Sequence, residues 1–340
     1  MTDQKEKYIN RELSWLQFNA RVLQEAEDTT VPLIERLRFL GIFSNNLDEF
    51  FKVRYATVKR IVDAGKGGRK ALGVYKASEL LEKITEEVIK QQSESLRILA
   101  IIHKKLEKEG IVILREDQIE NEVHKEFIKN FYLETIGPAL VAIILNDEIK
   151  LPRLEDTAAY LAVKMSLKKE ENQYGLLEIP RNLDRFVVLP KVDEKDYIIM
   201  LDDLIRCNLH AIFNIFNYED IEAHMIKITR DAELDIESDL GKSFLEKLSK
   251  SVKDREDGDP VRFVYDKMIA PDTLDFLMNK MEIEDHDSVI PGGRYHNRKD
   301  YMSFPSLGRN NLLYKTVKPI PIKGITLNCS MFETVAQRDF

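Results

Sequence analysis

The strongest constraint on the fold of this chain is a change of hydrophobic period at Gly110. Before this residue, apolar side chains recur at the three- and four-residue spacing of an amphipathic helix. The longest run predicts one helix over residues 76–109, with an apolar seam of Leu81, Ile84, Val88, Leu99, Ile102 and Leu106. Such a seam must be covered by other elements, so residues 1–109 are predicted to form a helical bundle.

Polar breaks divide the rest of this helical region into separate elements. Asn10 is placed to cap a first helix, and residues 28–30 end it. Pro32 suits the first turn of a second helix. We expect a second break over residues 41–46 and a glycine-rich turn over residues 65–68.

After Gly110 the sequence mixes strand-like and helix-like patterns without regular alternation. Strands are predicted over residues 159–167, 174–179, 185–189, 225–229 and 261–265. Helices are predicted over residues 117–133, 202–213, 238–253 and 272–281. This mixture predicts an α+β domain over residues 110–315, and the proline-containing stretch of residues 316–340 is predicted to be a linker into a further element.

The net charge of -8 argues against a general nucleic-acid binder, because such proteins are usually basic. The charge is uneven, however, since residues 294–323 hold seven Lys or Arg and one acid, Asp300. This local basic stretch fits a focused anionic ligand, and a solvated basic loop is the alternative. No apolar run reaches the length of a membrane span, and the two cysteines, Cys207 and Cys329, predict neither a disulfide framework nor a metal site.

Motif searches find no complete active site. The spacing of Gly68 and Gly73 resembles that of a phosphate-binding loop, but Val74 stands where the loop needs lysine. The H-x-K-x4-D pattern of phosphohistidine enzymes fails at His103, because Gly110 occupies the acid position. The histidines show no zinc-ligand spacing.

Four segments carry a resemblance to one family. They are YINRELSWLQFNARVLQEA (residues 8–26), PLIERLRFLGIFSNNLDEFFKVR (32–54), KITRDAELDI (227–236) and SVIPGGRYHNRKDYMSFP (288–305). Together they resemble bacterial long-chain polyphosphate kinases, in the same order and at similar spacing. The resemblance implies an α+β multidomain fold. It divides the chain into a helical N-terminal domain (1–109), an α+β head domain (110–315) and a linker with the start of a phospholipase D-like domain (316–340).

The resemblance also implies an activity. It is the reversible transfer of the terminal phosphate of ATP to inorganic polyphosphate, through a phosphohistidine and with Mg²⁺. The catalytic and metal-binding residues of the family belong to its C-terminal half, so we expect none in this chain and no activity of the chain alone. The competing class is a non-catalytic dimerising module that binds an anionic ligand or partner.

Four site residues are predicted. Asn46 matches the family asparagine that contacts the nucleotide base, and a helix-capping pair with Glu49 is the alternative. Arg294, His296 and Arg298 stand at alternate positions after two glycines, which would place them on one face of an extended segment able to contact phosphate. A tight turn with surface charges is the alternative. Arg230 and Asp231, which follow the predicted strand over residues 225–229, are interpreted as a structural ion pair.

The predicted ligands are ATP or ADP and inorganic polyphosphate. Self-association into a dimer or tetramer is expected through the head domain, and no nucleic acid and no transmembrane segment are expected. The predicted location is the cytoplasm, with peripheral membrane association left open.

Overall fold

The structure is a computed structural model that describes residues 9–63, 76–146, 154–156, 158–167, 172–230, 260–283, 289–320, 322 and 330–337. Its N-terminal part is a layer of four helices: α1 (Arg11–Glu27), α2 (Leu33–Phe50), α3 (Ala56–Asp63) and α4 (Ala77–Lys108). A π-helical turn, Phe51–Tyr55, carries α2 directly into α3. The predicted glycine-rich turn over residues 65–68 lies outside the described residues.

The helix ends follow the capping residues that the sequence offers. The Oδ1 atom of Asn10 accepts hydrogen bonds from the backbone N–H groups of Glu12 at 2.9 Å and Leu13 at 3.3 Å, which confirms the predicted cap of α1. The long predicted helix is confirmed as α4, which has 32 residues. Gly110 follows its end with a positive φ of 79°, a conformation that glycine adopts without strain.

The predicted break over residues 41–46 is wrong, because α2 runs without interruption through this stretch. Position 41 requires glycine because α2 packs closely there against the 3₁₀ segment Arg298–Ser303. A Cβ atom on Gly41 would lie 2.8 Å from the backbone nitrogen of Met302 and 3.2 Å from the carbonyl oxygen of Lys299. Glycine therefore lets two backbones approach each other.

Nine strands follow in the described part of the chain. They are β1 (Ile111–Leu114), β2 (Val141–Leu145), β3 (Ala159–Ser166), β4 (Gln173–Glu178), β5 (Phe186–Val192), β6 (Lys195–Met200), β7 (Asp220–Arg230), β8 (Pro260–Asp266) and β9 (Val289–Gly292). All five predicted strands are confirmed, and β1, β2, β6 and β9 were not predicted.

These strands form two sheets. The smaller sheet has the order β1-β6-β5, and the larger has the order β2-β4-β3-β7-β8-β9. The pairs β1–β6 and β8–β9 are parallel, and the other pairs are antiparallel. The mixed sheets and their separate helices confirm an α+β fold.

Shorter helices complete the described chain. They are α5 (Glu122–Phe131), α6 (Leu201–Cys207), α7 (Leu209–Ile212), α8 (Pro271–Lys280) and α9 (Met331–Gln337). The predicted helix over residues 202–213 is divided into α6 and α7 at Asn208. The predicted helix over residues 238–253 and the acid of the Arg230–Asp231 pair lie outside the described residues.

The core of the helical layer extends into later parts of the chain. Its buried members include Ile111 of β1, Ile198 of β6 and, from the segment after β9, Tyr301 and Phe304. A second core packs α6 against one face of β3 and β4, and a third packs α8 against the other face of the large sheet. The segment around Tyr301 thus lies between the helical layer and the sheets, which is where the polar cluster described next is found.

Candidate functional site

A small cavity lies where α2, the large sheet and the segment after β9 meet. Its volume is about 20 Å³, which is room for about one water molecule. Three of the four family-like segments contribute to its wall, together with β8 and α4. The lining residues are Phe43, Ser44, Leu47, Asp48, Gln92, Lys227, Arg262, Val264, Gly292, His296 and Arg298.

Asp48 is the carboxylate of this cavity. Its Oδ2 atom lies 2.6 Å from the Nζ atom of Lys227, and its Oδ1 atom lies 3.3 Å from the Nη1 atom of Arg262. All three side chains are buried. In the register of β7 and β8, Lys227 pairs with Val264 and Thr229 pairs with Arg262, so the two cations are diagonal neighbours on one face of the sheet.

Arg298 approaches the cavity from the segment after β9, and its polar partners are neutral. Its Nη1 atom donates to the Oγ atom of Ser95 at 2.8 Å, and its Nε atom donates to the carbonyl oxygen of Tyr295 at 3.4 Å. Burial lowers the pKa of Arg298 to about 10. The side chain therefore stays charged at neutral pH, although no carboxylate in the described part of the chain forms an ion pair with it.

His296 is held as a neutral ring. Burial lowers the pKa of His296 to about 3, and the nearby charge of Arg298 acts in the same direction. Its Nε2 atom lies 2.9 Å from the carbonyl oxygen of Met225, so the proton of the neutral ring belongs on this nitrogen. Gly292 makes room for the ring, because a Cβ atom there would lie 2.5 Å from its Cε1 atom.

The cavity has an excess of positive charge. Lys227, Arg262 and Arg298 are 1%, 4% and 7% exposed, and Asp48 is the one carboxylate among the lining residues. Burial lowers the pKa of Lys227 and of Arg262, while Asp48 opposes that shift in both. A group of this composition attracts anions.

Arg294 does not belong to this cluster. It forms ion pairs with Asp203, at 3.0 Å, and with Glu116. Burial lowers the pKa of Arg294, but the two carboxylates outweigh that effect and the net shift is upward. The prediction that Arg294, His296 and Arg298 share one face is therefore wrong, because the extended strand β9 ends at Gly292 and the backbone turns before Arg298.

Asn46 lies in the middle of α2, so the capping interpretation is wrong. Its Nδ2 atom donates to the Oδ1 atom of Asn19 on α1 at 3.2 Å, and the Nδ2 atom of Asn19 donates to the carbonyl oxygen of Phe43. Two residues along a helix correspond to a rotation of about 200°, so Asn46 faces α1 while Ser44 and Asp48 face the cavity. Its role as a base contact stays a prediction.

Sequence reasoning missed Asp48, Lys227 and Arg262. A signal was present in the strands, because Lys227 interrupts the apolar run of β7 and Arg262 interrupts that of β8. A charged residue within such a run is a candidate for a buried pair or site. What the sequence does not display is that the two strands are neighbours and that Asp48 lies above them.

The described residues show neither a metal site nor a membrane-spanning helix. Among the described residues, no group of three or more His, Cys, Asp or Glu side chains is arranged to hold a metal ion. Within the same residues, we find no helix with the length and apolar character needed to cross a membrane.

Comparison with known proteins gives one consistent result. The family model of the polyphosphate kinase N-terminal domain matches residues 8–114, and that of the polyphosphate kinase middle domain matches residues 123–304. The polyphosphate kinase of Vibrio parahaemolyticus is 40% identical over 339 residues, with 98% of this chain and 48% of that protein covered. That of Escherichia coli strain K12 is 38% identical over 325 residues, with 94% and 46% covered.

A solved structure agrees with these matches. The crystal structure of polyphosphate kinase from Porphyromonas gingivalis is similar with a TM-score of 0.76 and 29% sequence identity. The similarity covers 98% of this chain and 47% of that one. The chain spans about half the length of the curated relatives it matches.

Proposed function

The chain belongs to the polyphosphate kinase family, and we propose that it takes part in the reversible transfer of the terminal phosphate of ATP to inorganic polyphosphate. The observation that carries this proposal is the match of both family regions, in order, over nearly the whole chain. The reaction lengthens polyphosphate by one unit and releases ADP. Phosphoryl transfer of this kind depends mainly on positioning and on neutralising phosphate charge.

We assign nucleotide recognition to Asn46. Its amide is half-buried and oriented by Asn19, which leaves its oxygen available as an acceptor for the amino group of a base. The basic loop has a different part in the proposal. Arg298 and His296 line a cavity of water size, and Arg294 is held by two carboxylates. We therefore propose that this loop shapes the wall beside the polyphosphate path, and we assign no direct phosphate contact to these three residues.

The family resemblance implies a phosphohistidine intermediate, and we do not assign it to His124, His224 or His296. In His124 and His296, the Nε2 atoms lie 3.0 Å and 2.9 Å from backbone carbonyl oxygens. His224 lies 3.3 Å from the carboxylates of both Glu222 and Asp266, which would repel a phosphate group. These three rings are therefore poor acceptors.

Magnesium is part of the proposed chemistry as the companion of the ATP phosphates. The described residues include no group of three or more carboxylate, histidine or cysteine side chains arranged to hold a metal ion. No step is therefore assigned to a metal held by these residues.

Further parts of the proposal concern assembly and location. Residues 110–315 are proposed to bring two copies of the chain together, and residues 316–340 are proposed to begin a phospholipase D-like domain. A cytoplasmic location follows from the need for ATP as substrate.

Calorimetric titration of the purified chain with ATP tests the nucleotide role. We expect saturable binding of ATP that is competed by ADP, whereas sulfate at the same ionic strength does not compete. Lack of ATP binding, together with equal binding of polyphosphate and an unrelated polyanion such as polyglutamate, would favour the non-catalytic module. Incubation with ATP should yield no polyphosphate, and its formation by the purified chain would contradict our treatment of the histidines.

A further inference from the structure

The cavity beside α2 encloses more positive charge than its carboxylate neutralises. Lys227 and Arg262 share the two oxygens of Asp48, at 2.6 Å and 3.3 Å. Among the described residues, Arg298 forms its hydrogen bonds with neutral groups, the hydroxyl of Ser95 and the carbonyl oxygen of Tyr295. Removing three cations and one carboxylate from water is unfavourable unless the remaining charge is paired.

Other carboxylates do not supply the missing charge, because they have partners of their own. Asp300 lies 3.1 Å from the Nε atom of Arg185 and accepts a hydrogen bond from Asn297. Asp266 lies 3.3 Å from His224 and accepts from the backbone N–H of Met268. The imbalance therefore stays local to the cavity.

Two polar atoms of the wall lack partners among the described residues. The Nε atom of Arg262 is buried and makes no hydrogen bond, while the Cζ atom of this guanidinium lies over the Phe51 ring, 4.4 Å from its centre. The Oε1 atom of Gln92 is also buried and unpaired. Turning the Gln92 amide over would exchange this acceptor for an NH₂ donor.

The size of the cavity selects the ligand. A volume of about 20 Å³ holds about one water molecule, and a halide ion needs only slightly more room. A phosphate group, with four oxygens around phosphorus, is too large to lie wholly within this space. We propose that the cavity is a binding site for one halide-sized inorganic anion, which is neutralised by Arg298 and Arg262.

Such an anion would join parts of the fold that are distant in sequence. Asp48 belongs to α2, Lys227 and Arg262 belong to the large sheet, and Arg298 belongs to the segment that packs under α2. An anion in contact with these cations would stabilise the junction of the helical layer and the sheet. This proposal does not depend on the proposed enzymatic activity.

Thermal unfolding in mixtures of sodium chloride and sodium gluconate, at constant ionic strength, tests the proposal. Gluconate is too large for the cavity, so the melting temperature should rise with chloride and then saturate, by roughly 2–4 °C. A melting temperature independent of the chloride fraction would overturn the proposal. Inorganic phosphate should not reproduce the effect, and stabilisation by phosphate without stabilisation by chloride would overturn the assigned size of the ligand.

A pair of variants locates the effect. Arg298→Gln removes the cation that lacks a carboxylate, so the dependence on chloride should disappear. Arg206→Gln is the matched control, because Arg206 is equally buried, at 7% exposed, but pairs with Asp203 at 2.7 Å. The control should keep the chloride dependence, and an equal loss in both variants would overturn the location.

Crystals of the unaltered chain grown with bromide test the site without any substitution, so the result does not depend on whether a variant folds. Anomalous scattering should place a bromide ion between Arg262 and Arg298. An empty or water-filled cavity at high bromide concentration would falsify the proposal.

Discussion

At the scale of single residues, His296 couples the stability of the fold to pH. Burial lowers the pKa of His296 to about 3, whereas the unfolded chain has the ordinary value near 6.5. Between these values the unfolded state binds a proton that the folded state does not bind. The contribution to stability is therefore complete above pH 6.5 and is lost progressively as the pH falls toward 3.

We predict that His296→Asn weakens this pH dependence. For the unaltered chain, His296 should account for a loss of about 1 kcal/mol in the free energy of unfolding between pH 7 and pH 5.5. Urea denaturation at pH 7 and at pH 5.5 measures this loss of unfolding free energy. In His296→Asn, the loss between the two pH values should be smaller by about 1 kcal/mol. His210→Asn controls for removal of an imidazole, since His210 is exposed. An equal change in both variants would contradict the assignment to His296.

A second prediction at this scale concerns the amide pair of Asn46 and Asn19. If Asn46 contacts the base, Asn46→Ala removes a partly buried hydrogen bond worth about 1–3 kcal/mol, or about 5- to 150-fold in ATP affinity. Asn19→Ala is the control, because it breaks the same 3.2 Å hydrogen bond but lies inside the core at 0% exposed.

The control should lower the melting temperature, and it should reduce ATP affinity less than Asn46→Ala does, because it disturbs the orientation of the Asn46 amide but leaves its base contact in place. Calorimetric titration and thermal unfolding of both variants separate the two roles. Equal ATP affinity in Asn46→Ala and the unaltered chain would remove Asn46 from the nucleotide site.

At the scale of elements, the regular patterns were predictable and the short ones were not. The 32-residue helix α4 carries its apolar seam over many turns, which leaves little ambiguity. The strands β1 and β2 are apolar runs of four and five residues, which do not distinguish strand from helix. They become strands because β6 and β4 lie beside them, and the sequence of each run contains no information about that neighbour.

At the site, likewise, a local sequence pattern was predictable and long-range contacts were not. The sequence singled out His296 and Arg298, and the structure brings both to the cavity. It also singled out Arg294, which two acids from other elements remove from the cavity. Asp48 and Arg262 are 214 residues apart in the chain, so their contact depends on the tertiary fold.

Gly41 provides a prediction at the element scale, because it decides how closely α2 approaches the segment Arg298–Ser303. Gly41→Ala gains up to about 1 kcal/mol in helix propensity. The new Cβ atom, however, would lie 2.8 Å from a backbone nitrogen, and overpacking of this kind costs about 1–3 kcal/mol.

We expect Gly41→Ala to lower the free energy of unfolding by roughly 1–2 kcal/mol in urea denaturation, with a larger loss for Gly41→Ser. Asn45→Ala reports the gain in propensity on the same helix without the contact. A Gly41→Ala protein as stable as Asn45→Ala would show that the two backbones separate easily.

At the scale of the whole molecule, one edge of the large sheet is a candidate surface for contact with a second copy. β2 forms one edge of the large sheet and pairs with β4 alone among the described strands. Its sequence, VAIIL, contains no charge, proline or glycine, and Val141 is 56% exposed. An uncharged apolar edge strand tends to pair with another strand.

The proposed self-association of residues 110–315 therefore has a specific candidate surface, which is β2 of one copy against β2 of a second copy about a two-fold axis. We predict that the chain sediments as a dimer at concentrations of about tens of micromolar. Val141→Lys should shift it toward monomer, because a charge at the edge opposes strand pairing.

Val188→Lys is the matched control, since Val188 is 41% exposed on the edge strand of the smaller sheet. This substitution should leave the dimer intact. A monomeric unaltered chain would contradict self-association, whereas a dimer that survives Val141→Lys would place the contact elsewhere in residues 110–315.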